Sequence, residues 1–210
     1  MQIRRYSLGE LQTNCYLLIE DKECLIIDPA DSVEFISEII LREALTPVGI
    51  LATHGHFDHI MAAGELSLSF NLPLMMHKDD LFLVKRMGET AKHFLGFTPP
   101  IVPPENISFL NPGVLHVTCF ELRVIPTPGH TPGSCSFYFP EENAVFTGDT
   151  LFKDGIGAYD HSYSDKDFLF QSLQTLFKLP QDTIVYPGHG SETMIGEERK
   201  IKLTTQKRLL

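Results

Sequence analysis

Apolar residues fall in short blocks along the chain, separated by turn-forming residues, which is the pattern of buried strands. Two such blocks, Thr13–Glu20 and 23–28, are joined by Asp21-Lys22 and read as a hairpin. From Ser32, a helix-capping residue type, the spacing changes to threes and fours. Val33, Ile36, Ile39 and Ile40, with Glu43 at the margin, mark the faces of an amphipathic helix expected to end near Ala44. The run 48–53 predicts a buried strand, and the segment after it a helix to about residue 70. Leu74-Met75-Met76 predicts a short strand, followed by a helix around 79–87.

Between Gly88 and Asn111 the periodicity fades, and Pro99, Pro100, Pro103 and Pro104 exclude regular structure over part of the stretch. A lid or substrate loop and a plain surface excursion fit this segment equally well. Strands are expected next around 114–118, 121–126, 134–139 and 143–147. Ser164-Asp165-Lys166-Asp167 then reads as the start of a helix reaching about 178, and 183–186 as a last strand. Strand-rich halves punctuated by helices, with hairpin-like connections, point to two sheets packed face to face under helices rather than a doubly wound parallel sheet. No linker, repeat or low-complexity tract interrupts the 210 residues, so a single domain over 1–210 is expected.

Composition narrows the setting. A hydrophobic content of 43% with 21% charged residues is that of a soluble globular protein, and no apolar run reaches the length of a membrane span. Met1-Gln2-Ile3-Arg4-Arg5-Tyr6 lacks the apolar core of a secretory signal, so the expectation is a cytoplasmic protein with no membrane partner. A net charge of −10 argues against nucleic acid, whose phosphates call for a basic face. Cys15, Cys24, Cys119 and Cys135 form no C-x-x-C pair and sit among apolar neighbours, as buried reduced thiols do. The basic tail, Arg199-Lys200-Ile201-Lys202 with Lys207 and Arg208, reads as a solvated helix face.

The chemistry is concentrated in Thr53-His54-Gly55-His56-Phe57-Asp58-His59, which puts four metal-ligand side chains into six residues. Crowded imidazoles repel when protonated and are costly to desolvate unpaired, whereas a divalent cation satisfies them together. The motif lies between an apolar strand and the start of a helix. At a strand end residues two apart point the same way, so His54 and His56 can address one ion while Asp58 and His59, on the turn, address a second. Three later segments end an apolar strand in a glycine turn that displays a ligand-type residue: Pro128-Gly129-His130, Thr147-Gly148-Asp149 and Pro187-Gly188-His189. Each is weak alone, because a His after Pro-Gly is as readily an exposed turn residue. With the first motif they make seven candidates, too many for one tetrahedral ion and suited to two that share a carboxylate and a water.

H-x-H-x-D-H, then T-P-G-H-T-P-G-S, F-T-G-D-T-L-F and Y-P-G-H-G, resembles the metallo-β-lactamase superfamily and, within it, the glyoxalase II-like hydroxyacylglutathione hydrolases. Leu11-Gln12-Thr13-Asn14-Cys15-Tyr16 and Leu25-Ile26-Ile27-Asp28-Pro29 are similar to that branch as well. The likeness runs from about residue 6 to about 199 and is poorest over 88–111. It implies a four-layer αββα sandwich with a binuclear centre along one edge of its sheets. On this resemblance His54, His56 and His130 hold the first metal, Asp58, His59 and His189 the second, and Asp149 bridges them. Ligation by His and Asp without thiolate suits zinc, and also iron or manganese. Asp28 and Thr53 are candidates for orienting the ligands, although Asp28 reads equally as a turn cap. His77, His93, His116 and His161 lack motif company and read as surface or ordinary core residues.

The reaction so implied is hydrolysis of an acyl thioester by a bridging hydroxide, with Asp58 as a proton-handling catalytic residue. A thiol ionises near pH ~8.5 and leaves without much help from a general acid. Glutathione-specific members carry a basic residue and a Tyr after the bridging Asp, and another Tyr soon after the last metal His. Ala158, Asp160 and Ser191 stand there in this chain. With about twenty residues beyond His189, there is no room for the helical domain that supplies basic contacts to glutathione. Tyr159, Lys153, Lys85, Arg86 and Lys92 are the candidate replacements, each with an ordinary surface role as the alternative. The expected partner is a small-molecule thioester outside the standard glutathione mode. The rival reading is an iron-dependent oxidoreductase of the persulfide dioxygenase kind, weakened by Ser134 and Ala158 where such enzymes carry Cys and Arg. His56 stands where oxygen-reducing di-iron relatives carry Glu, and the acidic charge disfavours a nuclease. No ligand position is lost, as it would be in a non-catalytic binding protein.

Overall fold

The computed structural model describes residues 1–199 and the backbone of 207 and 208. Its first sheet has six strands in the order β1 (Gln2–Leu8), β2 (Thr13–Glu20), β3 (Glu23–Ile27), β4 (Thr46–Leu51), β5 (Leu74–Met76) and β6 (Ile107–Phe109). β1, β2 and β3 are antiparallel, and β3 to β6 run parallel. At the β2–β3 hairpin Asp21 and Lys22 take φ values of 44° and 73°, which match the right-handed twist of the strands they join. The parallel strands are linked by α1 (Val33–Arg42), then α2 (Phe57–Ile60) and α3 (Ala63–Phe70), then α4 (Leu81–Lys85) and α5 (Met87–Leu95).

The second sheet is built from β7 (Gly113–Val117), β8 (Phe120–Pro126), β9 (Cys135–Phe139) and β10 (Ala144–Gly148), all antiparallel, and continues with β13 (Ile184–Pro187) parallel to β10 and β14 (Thr193–Met194) at the edge. Between β10 and β13 lie a small hairpin, β11 (Leu151–Phe152) and β12 (Gly155–Ile156), and α6 (Lys166–Leu176). After β14 comes the single turn α7 (Ile195–Glu198).

Burial explains why the strands read as continuous apolar blocks. Tyr16, Leu18, Leu25 and Ile27 face Leu122, Val124, Phe137, Phe139 and Phe146 of the other sheet. Their neighbours Cys15, Leu17, Cys24 and Ile26 face outward onto Ile36, Ile39 and Ile40 of α1 and Leu66 of α3. On the far side Tyr138, Val145 and Val185 meet Leu169, Leu173 and Leu176 of α6. Both faces of each central strand are thus covered, and the order of layers is αββα as expected.

Several expectations are corrected. β1 carries no fully buried residue, so its edge position leaves no apolar run to read. Ser32 has φ 69° and makes no side-chain cap; instead its amide donates to Asp31 Oδ1 at 2.6 Å. The helix expected up to residue 70 breaks after Ile60, where the Ala62 amide donates to the Ala30 carbonyl at 2.8 Å and the Ala30 amide to the His59 carbonyl at 2.9 Å. The 88–111 segment is not wholly irregular: α5 runs to Leu95 and β6 joins the first sheet. Its prolines lie in the irregular part, which packs down so closely that a side chain on Gly64 of α3 would strike the Val102 carbonyl. Cys15, Cys24 and Cys135 are buried free thiols, but Cys119 is exposed. Lys200 and Lys202 of the basic tail lie outside the described residues, and the backbone at Lys207 and Arg208 is a short strand rather than helix. Among the described residues no helix is long and apolar enough to cross a membrane.

Candidate metal centre

The structure brings all seven predicted residues to one end of the two sheets. His54 and His56 follow β4, Asp58 and His59 lie in α2, and His130, Asp149 and His189 follow β8, β10 and β13. Donor atoms of His54, His56 and His130 lie within 4.8 Å of one another, and so do those of His54, His59 and Asp149 and those of Asp58, His59 and His189. Asp149 stands between the groups: Oδ2 is 3.7 Å from His130 Nε2 and 3.6 Å from His189 Nε2, and Oδ1 is 3.4 Å from His59 Nε2. Asp58 Oδ2 lies 3.3 Å from His189 Nε2 and accepts a hydrogen bond from Thr13 Oγ1 at 2.8 Å.

Each imidazole is tethered by its outward nitrogen. His59 Nδ1 donates to Asp28 Oδ2 at 2.9 Å, His130 Nδ1 to the Ala158 carbonyl at 2.8 Å and His189 Nδ1 to the Leu11 carbonyl at 3.1 Å. These partners only accept, so they fix the tautomer and leave Nε2 of the neutral ring as a lone pair aimed inward. His54 Nδ1 meets Thr53 Oγ1 at 3.1 Å, and His56 Nε2 meets the Tyr163 hydroxyl at 2.8 Å. Inward, His130 Nε2 and His56 Nδ1 face each other at 3.0 Å. His54 Nε2, His59 Nε2 and Asp149 Oδ1 are buried without a hydrogen-bond partner. Inward-pointing lone pairs and orphaned buried atoms are what cations would satisfy, and the donor set fits divalent metal ions.

The charges pull in opposite directions across the cluster. Burial and neighbouring imidazoles hold the pKa of His54 and His56 well below the usual range, and burial also lowers His130. Burial would likewise lower His59 and His189, but the surrounding carboxylates outweigh it and raise both. Asp58 and Asp149 are correspondingly lowered against their burial, by His59 and His189. The carboxylates of the His59 half thus favour positive charge beside them, which suits a cation at that place.

Two buried carboxylates hold the frame. Asp28, with φ 49°, accepts from Thr53 N and Thr53 Oγ1 at 2.7 Å each as well as from His59, so of the two roles the sequence left open its carboxylate takes that of orienting a cluster histidine. Asp80 ties the first motif to the His130 turn: it accepts from Gly55 N at 2.8 Å, Thr131 Oγ1 at 2.7 Å and Gly133 N at 2.7 Å. The His189 turn is clamped onto β2, where Asn14 Nδ2 donates to the Pro187 and Gly190 carbonyls at 3.0 and 2.9 Å and the Tyr16 hydroxyl to the Pro187 carbonyl at 2.6 Å. At Gly188 an added Cβ would run into Asp149 Oδ1 and His59, so only glycine lets this turn pass so near the cluster.

His161 is not an ordinary surface residue. It lines the cavity over the cluster, its ring 5.5 Å from that of His56 and 5.7 Å from that of His130, and it stacks on Tyr163 at 5.3 Å and 17°. Neither it nor Tyr163 sits in a motif, and their only sequence signal is an unusual density of rings shortly after Asp149. His77 instead caps a short turn by accepting from Asp79 N at 3.3 Å, and His93 and His116 are exposed.

This sandwich, with a His/Asp cluster where its strands end, is the architecture of the metallo-beta-lactamase superfamily, whose family model matches residues 8–189; the chain belongs to that superfamily, which has a binuclear metal site. Among individual proteins it is 35% identical to the probable metallo-hydrolase YqgX of Bacillus subtilis, over 95% of this chain and 95% of that protein. It is 34% identical to the hydroxyacylglutathione hydrolase GloC of Haemophilus influenzae, over 95% of this chain and 96% of that one. A solved structure of TTHA1623 in a di-iron-bound form superposes with a TM-score of 0.88 at 36% identity, covering 96% of this chain and 99% of that chain.

Proposed function

We propose that the protein hydrolyses a small acyl thioester, in the manner of the glyoxalase II-like branch, at a binuclear centre. The observation that carries this reading is the tethering of five imidazoles so that their inner nitrogens converge, together with the Asp58 and Asp149 carboxylates, in three overlapping groups of donors. His54, His56 and His130 would hold one divalent cation and Asp58, His59 and His189 a second, with Asp149 shared. Zinc is the first candidate and iron or manganese the alternatives. When bound, the cations supply a water acidic enough to ionise near neutral pH and polarise the scissile carbonyl.

The chain's own residues do the rest. Thr13 Oγ1 fixes Asp58 Oδ2, the atom proposed to take up and return a proton as water adds and the thiol departs. Leu11 and Phe57 wall the cavity and keep bulk water from the centre. Tyr163 holds the outer nitrogen of His56 and so sets its ring plane. The net reaction is thioester plus water giving a carboxylic acid and a thiol. The similarity to GloC over nearly its whole length supports the thioester class, and the free thiols suit a reducing, cytoplasmic setting.

The test is metal analysis of the purified protein beside assays with S-lactoylglutathione and simpler thioesters. Two metals per chain with thioester turnover is the expected result. One iron per chain, with oxygen consumed on a persulfide and no thioester cleaved, would replace it with the oxidoreductase reading.

A further inference from the structure

Two cavities open from the cluster, and among the described residues neither is lined by a lysine or an arginine. One, of about 140 Å³, lies over the imidazoles and is walled by Leu11, Phe57, Thr90, Phe94, His161 and Tyr163. The other, of about 210 Å³, begins at Thr13 and Asp58 and runs outward between Leu8 and Leu11 on one side and Met61, Leu95, Phe97 and Pro99 on the other. Leu11, Phe57 and Asp58 are common to both, so the cavities meet beside the cluster. Besides Asp58, the charged residues of the larger one are Glu10 and Asp31, both acidic.

The candidates for reading a carboxylate do not reach either cavity: Lys85, Arg86, Lys92, Lys153 and Tyr159 line neither. Arg5, near the His189 turn, donates to the Gly190 carbonyl at 3.0 Å and pairs with Glu192 at 3.5 Å. Phe94 and Phe97 are 56% and 52% exposed, yet each is a cavity wall. Aromatic rings left open at a mouth are covered when an apolar ligand enters.

We infer that the substrate carries no negative charge on either side of its scissile bond, and that the larger cavity takes an apolar arm that tolerates a cationic end but not a carboxylate. A carboxylate at the outer end of that cavity would lose its water to apolar walls, meet no lysine or arginine among the described residues and lie near two like charges. The net charge of −10 biases approach in the same sense. This deepens the thioesterase reading, on which it rests for the reaction but not for the sign of the charge.

Matched thioesters of the metal-loaded protein test it. The neutral member is butyryl-N-acetylcysteamine. Butyrylthiocholine places a cation on the leaving arm, butyryl-3-mercaptopropionate places a carboxylate there, and succinyl-N-acetylcysteamine places a carboxylate on the acyl arm. The two anionic esters are expected to show kcat/KM at least tenfold below the neutral and cationic ones, with the gap shrinking as salt is raised. Glu10→Lys, at an exposed turn residue, should narrow the gap by threefold or more. Calorimetry with the corresponding non-hydrolysable thioethers reads the charge ranking without turnover. If no thioester is cleaved but the anionic thioethers still bind most weakly, the thioesterase reading falls and the charge rule stands. Anionic members that are cleaved and bound as well as the neutral ones, with no response to Glu10→Lys, overturn it.

Discussion

Asp149 is the residue on which most of the cluster depends, since its two oxygens face His59 on one side and His130 and His189 on the other. Asp149→Ala should abolish hydrolysis and reduce bound metal below two per chain, whereas retention of both would refute its shared role. Tyr163 acts at one remove. Tyr163→Phe removes the hydroxyl that holds His56 Nε2 at 2.8 Å while keeping the ring that stacks on His161. A roughly tenfold loss of metal affinity is expected, at the low end of the ~10–100-fold typical of outer partners of metal-bound histidine, and competition with a chelator would measure it. The seven cluster residues were legible because each is a ligand type just after an apolar strand, five of them beside a glycine and Asp58 and His59 on the short helix that follows. His161 and Tyr163 were not, since their place over His56 depends on the path of the segment before α6, and no local pattern encodes that path.

Elements meet at the cluster through buried carboxylates, and Asp80 shows how much one of them carries. It is fully buried and joins the turn after β4 to the turn after β8 through three accepted hydrogen bonds, and burial raises its pKa. Asp80→Ala would leave the Gly55 and Gly133 amides without their partner, while the Thr131 hydroxyl keeps Ser134 Oγ at 2.7 Å. At roughly 1–3 kcal/mol for each unsatisfied buried group, a loss of about 2 kcal/mol or more is expected in denaturant unfolding, together with weaker metal binding. A loss below about 1 kcal/mol would show that the two turns hold their places independently. Asp80 falls at the start of a helix read from periodicity, where an acidic residue looks like an ordinary helix-start residue. The strands with both faces covered were legible as blocks. β1 and β6, short of buried residues at the two edges of the first sheet, were not.

Across the whole molecule, the proposed ligands come from both sheets, and the separation of His54 from His189 along the chain means that the unfolded polypeptide offers no such site. Cations that bind only the folded state stabilise it by mass action, by about 2.7 kcal/mol when present at ~100 times their dissociation constant. For a chain of this length about 2–4 °C of Tm accompanies each kcal/mol, so exhaustive chelation should lower Tm by about 5–10 °C. The layers themselves should survive it. The inter-sheet core is closed by apolar contacts such as Phe146, which lies edge-on to Tyr16 at 4.9 Å and stacks on Tyr186 at 5.0 Å, and none of these involves the cluster. Far-ultraviolet circular dichroism of the chelated protein at 25 °C should therefore match that of the loaded one, while Tm falls. Phe146→Ala should do the reverse, costing about 3–5 kcal/mol in stability while the stoichiometry of bound metal is retained below the lowered Tm. Equal Tm with and without chelator, in protein shown to have carried metal, would mean that the donors are held in place by their outer tethers alone and that the cations add nothing to the fold.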